Sequence, residues 1–199
     1  MSDGMLWLPD SFSEGFCVAF CEGVSPEEFV LKVGGDPNLA LTLTREQAES
    51  IDLAARFPDE ANLEYHDLDE AELREKGFLR SDAEVIRVGY FNGWTFSLQS
   101  FGTFMSNPAI ALKASRSSRF ISFSLTVNMA AWVQYAVGGN MINSFDPLHP
   151  VAGPAEGLHV DDLEDAPAFA TLAQLQERFH LAVPRTTDVQ PLMTVALTR

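Results

Sequence analysis

The pair Asn92-Gly93 sits between two alternating runs, and it dictates an antiparallel hairpin before anything else about the chain is considered. On one side VIRVGYF, residues 85–91, sets Ile86, Val88 and Tyr90 against Arg87 and Gly89. On the other, WTFSLQS, residues 94–100, sets Trp94, Phe96 and Leu98 against Thr95, Ser97 and Gln99. A two-residue type I′ turn needs positive φ at both central positions, which Asn-Gly adopts at little steric cost. A third run, residues 121–127, alternates Ile121, Phe123, Leu125 and Val127 with Ser122, Ser124 and Thr126. The pattern is that of an antiparallel sheet with one face packed and the hydroxyl-bearing face exposed or lightly covered.

Residues 132–137 and 140–145, separated by Gly138-Gly139, read as a fourth and a fifth strand, which predicts a cluster of Trp94, Trp132, Tyr135 and Phe145. Residues 16–21 read as a further strand, 39–43 as a brief extended piece and 192–197 as an edge strand. Helix starts are marked by Ser25-Pro26 with Glu28, by Thr44 with Gln47, and by Asn107-Pro108, each supplying a side-chain acceptor ahead of an apolar-periodic run. Gly34-Gly35 ends the first of these. Residues 70–76 allow one or two helical turns, and a last helix over 167–179 turns Phe169, Leu172, Leu175 and Phe179 inward. Together these predict a single α+β domain, a mostly antiparallel sheet of four or more strands with flanking helices. It divides into an acidic helical part (1–84), a central antiparallel sheet (85–147), and a loop, helix and C-terminal extension (148–199).

The formal net charge is -15. Residues 1–84 hold 20 acids against six lysines and arginines, whereas between Val85 and His149 the only acid is Asp146, against Arg87, Lys113, Arg116 and Arg119. Such a balance disfavours nucleic acid and anionic membranes as partners, because both are attracted by positive surface. No apolar run approaches membrane-spanning length, and the first residues lack a basic leader, so the cytoplasm is the expected location. Cys17 and Cys21 are expected to be buried, reduced thiols. Neither metal-ligand spacing nor a nucleophile, P-loop or dinucleotide motif occurs, so no metal, cofactor or catalytic residue is expected.

Candidate binding residues are those whose chemistry stands apart from its surroundings. Asp146 is a lone carboxylate at a strand end, suited to capping its turn or to receiving a donor. Trp94 and Trp132 supply large amphipathic rings, and His149 follows Asp146 closely. Arg116 and Arg119, with Lys113 and Ser117, either stabilise a helix C-terminus or form an anion site. The run His66 to Glu70 reads as a solvated acidic face. Glu70, Glu72 and Glu75, with Asp161, Asp162 and Asp165, are candidates for steering a partner that carries positive charge.

FCEGVSPEEF with a following Gly-Gly, GWTF at 93–96, the segment FISFSLTVNMAAWVQYAVGGNMINSFDPLHP at 120–150 and AEGL at 155–158 resemble an uncharacterised actinobacterial family. Its marks are a GWT hairpin motif and an SFDP segment, and the resemblance spans residues 16–160. It implies no activity and no functional residue. It does imply that relatives often carry an acid where Gln99 stands. The leading expectation is a non-enzymatic binding or interaction protein offering an acidic surface to a basic protein partner. The alternative is a small-molecule-binding protein or enzyme with a pocket near the strand ends around Trp94, Trp132 and Asp146.

Overall fold

Asn92 and Gly93 take φ of 51° and 83°, closing the hairpin as a type I′ turn requires, in a computed structural model that describes residues 4–58, 63, 66–147 and 167–198. The hairpin strands are β3 (Ala83–Phe91) and β4 (Trp94–Ser100), after β1 (Gly15–Glu22) and β2 (Leu41–Leu43). β5 (Arg119–Thr126), β6 (Ala131–Val137), β7 (Asn140–Phe145) and β8 (Leu192–Thr198) follow. Among the described residues these eight form one sheet in the order β2-β8-β3-β4-β1-β5-β6-β7, and every ladder is antiparallel. The fold is thus a single α+β domain. β8 corrects the expectation of an edge strand, because it lies inside the sheet between β2 and β3. The sheet also reaches beyond residues 85–147, since β1 fills the gap between β4 and β5.

Local capping accounts for the helix starts. α1 (Leu8–Ser11), a short turn with no counterpart in the sequence reading, precedes α2 (Pro26–Val33), where Ser25 Oγ accepts from Glu28 N at 3.1 Å and Gly34 ends the helix at φ 98°. α3 (Arg45–Arg56) begins in a reciprocal box between Thr44 and Gln47. At α4 (Glu70–Glu75) the Asp69 carboxylate accepts from Ala71 N and Glu72 N, so one acid of the expected solvated run is a cap. α5 (Pro108–Ala114) is capped by Asn107, and α6 (Pro167–Phe179) closes the set.

Both faces of the sheet are buried. On the first, Phe16, Val18 and Phe20 of β1 meet Phe96, Phe123 and Val133 beneath α1 and α6. Arg87 shares that face: Nη2 donates to the carbonyls of Thr187 and Gln190 at 2.8 Å each, tying the approach to β8 onto β3. Burial pulls its pKa down to about 10, leaving it charged at neutral pH. The second face carries the hydroxyls, and here the expectation of an exposed or lightly covered surface is corrected: Thr95, Ser97, Gln99, Ser122 and Ser124 are all buried. Cys17, Ala19 and Cys21 of β1 are small enough to let α2 and α5 pack onto this face. Some of the polar groups find partners in those layers, Thr95 donating to Val24 O at 2.5 Å and Cys21 Sγ meeting Ser118 Oγ at 3.1 Å, while Ser97 Oγ is buried with no hydrogen-bond partner among the described residues.

Two further expectations are corrected. Val127 lies past the end of β5 and is 58% exposed, so the alternation stops one step short of it. Trp132 does not join Trp94, Tyr135 and Phe145. Those three pack on the first face, whereas Trp132 pairs with Ser124 and so points to the second.

Candidate functional site

Register builds one row of side chains across the second face. Gln99 on β4 stands opposite Cys17 on β1, Cys17 opposite Ser124 on β5, and Ser124 opposite Trp132 on β6. Because Val133 pairs with Phe145, the next position places Asp146 opposite Trp132. Glu84, near the start of β3, lies diagonally beyond Gln99, in hydrogen-bond reach of it. Cross-strand neighbours on one face stand about 5 Å apart, so the row brings together residues from β3, β4, β1, β5 and β6 and from the end of β7.

This row opens into a cleft of about 850 Å³. Glu84, Ser124, Trp132 and Asp146 line its sheet side. The opposite wall is the 3-10 turn Phe104–Ser106 with Asn107 and Pro108 at the start of α5. The volume lies in the range of small-molecule sites.

The wall is fixed to the floor by Gln99. Its Oε1 accepts from Phe104 N at 3.0 Å, which orients the amide so that Nε2 donates to Glu84 Oε2 at 2.5 Å. A Cβ on Gly102 would fall 2.4 Å from Gln99 Nε2, so only glycine there leaves room for the pair. Cys17 Sγ meets Ser106 Oγ at 3.4 Å, and burial pushes this thiol up to about 12. It is a neutral packing group under the wall and no nucleophile. Trp132 is 41% exposed, and its Nε1 donates to Ser144 Oγ at 3.0 Å, which pins the indole.

The candidate residues from the sequence separate into distinct places. Trp132 and Asp146 share the cleft. Trp94 is buried on the other face, edge-on to Phe20 with ring centroids 6.5 Å apart, and Arg119 lies over its ring at 5.4 Å. Two hydrogen bonds hold Arg119 to Glu22, and this pairing lowers the Glu22 pKa and raises that of Arg119. Arg116 is exposed beside the Gly138-Gly139 turn. Glu70, Glu72 and Glu75 are exposed on α4, with Glu70 paired to Arg74 at 2.5 Å. His149, Asp161, Asp162 and Asp165 lie outside the described residues.

Glu84 was not singled out by sequence reasoning. It ends a long acidic stretch, yet it continues the alternation of Ile86 and Val88 by one step, and an acid in phase with a buried strand face is the signal that would have found it. It is 1% exposed. Among the described residues no group of three or more His, Cys, Asp or Glu is placed to hold a metal ion, and no helix is long and apolar enough to cross a membrane.

The chain belongs to a family of unknown function, DUF6461, which matches residues 3–169. No curated protein and no solved structure matches it.

Proposed function

We propose that the protein is a cytoplasmic binding protein whose ligand site is the cleft between the Trp132 end of the sheet and the 3-10 turn before α5. The observation that carries this reading is a cleft of about 850 Å³ whose floor and wall are tied together by Gln99, with a pinned and partly exposed indole on its side. A preformed cleft presenting an aromatic ring and a few fixed polar groups is how small-molecule sites are built. A metabolite library screened by thermal shift tests the reading. At least one compound should raise the melting temperature of the native protein and lose that effect in Trp132→Ala, with the variant's circular dichroism unchanged. Hits that stabilise Trp132→Ala equally, or a library without hits, refute it.

A second reading is favoured by charge. Glu70, Glu72 and Glu75 are exposed on one short helix of a chain with net charge -15, a surface suited to steering a basic protein partner. Such association slows as salt rises. Reversal of the three glutamates to lysine should slow capture of a basic partner from host extract without changing the fold; an unchanged rate removes this reading.

A further inference from the structure

Resting on the cleft reading, we infer that the ligand is a neutral polyhydroxylated ring, a sugar or sugar-like polyol, seated with its C–H face on the indole of Trp132. Trp132 is 41% exposed, and the only polar atom of its side chain, Nε1, is already bonded to Ser144 Oγ. What it offers a ligand is therefore ring surface and no hydrogen bond. A pyranose suits that surface, because one face of its ring is apolar C–H and its hydroxyls radiate from the edge.

Ser124 points to the chemistry of the edge. It lines the cleft beside Trp132, its cross-strand partner, and is 3% exposed, yet its Oγ has no hydrogen-bond partner among the described residues. A buried hydroxyl is normally paired, and one that opens on a cleft is completed by water or by a ligand group that takes the water's place. The groups around it are of the same kind. Thr126 Oγ1 accepts from Ala130 N at 3.2 Å and keeps its own proton to donate, and Asn107 Oδ1 accepts from Ala109 N at 2.9 Å and keeps the two donors of Nδ2. Thr103 and Ser106 add hydroxyls on the wall. Backbone donors at the start of α5 are already used: Pro108 has no N–H, Ile110 N and Ala111 N donate to Asn107 O, and Phe104 N is taken by Gln99. The described lining thus addresses a ligand largely through side-chain hydroxyls and an amide. Such hydroxyls rotate and serve as donor or acceptor, as do those of a sugar, so each can match what the other presents. Hydroxyls are uncharged and also bond to carboxylates, so the fit does not depend on the net charge of the cleft. A planar heterocycle would stack on the same indole but bring few groups to this set of hydroxyls.

Glucose, galactose and mannose, each as free sugar and as methyl pyranoside, are titrated into the full-length protein by ligand-observed NMR, with cyclohexanol as a ring of one hydroxyl and adenine as a planar heterocycle. Acrylamide quenching of tryptophan fluorescence places the binding, because Trp7 and Trp94 are buried and Trp132 is exposed. At least one of the six sugars should shield Trp132, bind at least about tenfold tighter than cyclohexanol, and lose its binding in Trp132→Ala. Ser124→Ala should weaken that sugar about three- to tenfold and leave cyclohexanol unchanged. Its unfolding midpoint should not fall, since the hydroxyl removed has no partner among the described residues, and this separates a ligand contact from a structural one. Equal affinity for the free sugar and its glycoside assigns the site to a sugar unit of a larger conjugate, and binding of the free sugar alone assigns it to a monosaccharide. Sugar binding that Ser124→Ala leaves unchanged, or Trp132-dependent binding of cyclohexanol or adenine that equals or exceeds that of every sugar, overturns the polyol assignment and leaves the cleft reading standing. Absence of Trp132-dependent binding by any probe overturns the polyol assignment, and the library screen then decides separately whether the cleft binds anything.

Discussion

Phe123 and Val127 occupy equivalent positions in one alternating run, yet the structure assigns them opposite energetic roles, and replacing each by alanine tests that assignment. Phe123 is 1% exposed, its ring centroid 5.9 Å from that of Phe16, and on β5 it stands between Val18 and Val133. A phenylalanine side chain in such a place buries about 150–250 Å². At about 25 cal/mol per Å² that is about 4–6 kcal/mol, and the alanine that remains keeps part of it, so Phe123→Ala should cost about 3–5 kcal/mol. Val127, 58% exposed beyond the strand end, should cost no more than about 0.5 kcal/mol. Urea unfolding followed by circular dichroism measures both. With a slope toward the upper end of about 1–3 kcal/mol/M, the Phe123→Ala midpoint should fall by more than about 1 M at unchanged slope, while that of Val127→Ala stays in place. A loss below about 1 kcal/mol at Phe123, or equal losses at the two sites, would refute the division of the sheet into its two faces.

Two further outcomes follow from the opposite face and from the hairpin. With burial holding the Cys17 thiol up at about 12 and raising that of Cys21, a disulfide reagent at mildly alkaline pH should label neither in the native protein and both after unfolding; fast native labelling would contradict the packing. The folded chain keeps thiol protons that the unfolded chain starts to release near the ordinary value of 9.0, so this stability is whole below that pH and is lost as pH rises toward 12. Cys17→Ala should flatten that alkaline decline. At Gly89 a Cβ would fall 2.4 Å from the tip of the Phe96 ring, so Gly89→Ala should cost about 1–3 kcal/mol. Adding Phe96→Leu should give a double mutant more stable than the sum of the single losses predicts. Strict additivity in the cycle would mean that the ring does not occupy that space.

Local signals were legible wherever the cause was local. The turn at Asn92-Gly93, the capping box at Thr44, the Ser25 cap and the bounds of β7 each depend on residues close in sequence, and the structure reproduces them. What covers a strand is not local. The hydroxyls of β4 and β5 read as a solvent face because serine and threonine suit one. They are buried because α2 and α5 return over the small side chains of β1, a contact between segments far apart in the chain. The same limit hid Trp132, whose side is set by pairing with Ser124 and not by its own alternation, and β8, whose interior place depends on a partner about a hundred residues earlier.

The cleft is the least legible feature because no two of its charged residues belong to one local pattern. Glu84 and Asp146 are carried by β3 and by the end of β7, and four other strands stand between those two in the sheet. Only insertion of β1 between β4 and β5 sets Cys17 between Gln99 and Ser124 and closes the row. Once the row exists, Gln99 acquires a role that its position in an alternating strand does not suggest. One side-chain amide holds the wall through Phe104 N and the floor through Glu84, so the relative position of turn and sheet depends on a group with both a donor and an acceptor. A carboxylate there could still accept from Phe104 N but would face Glu84 without a proton to offer, and a leucine could do neither. The shape of the cleft is thus set by an uncharged residue buried behind it, and the two acids among its described lining residues are ones that sequence order keeps apart.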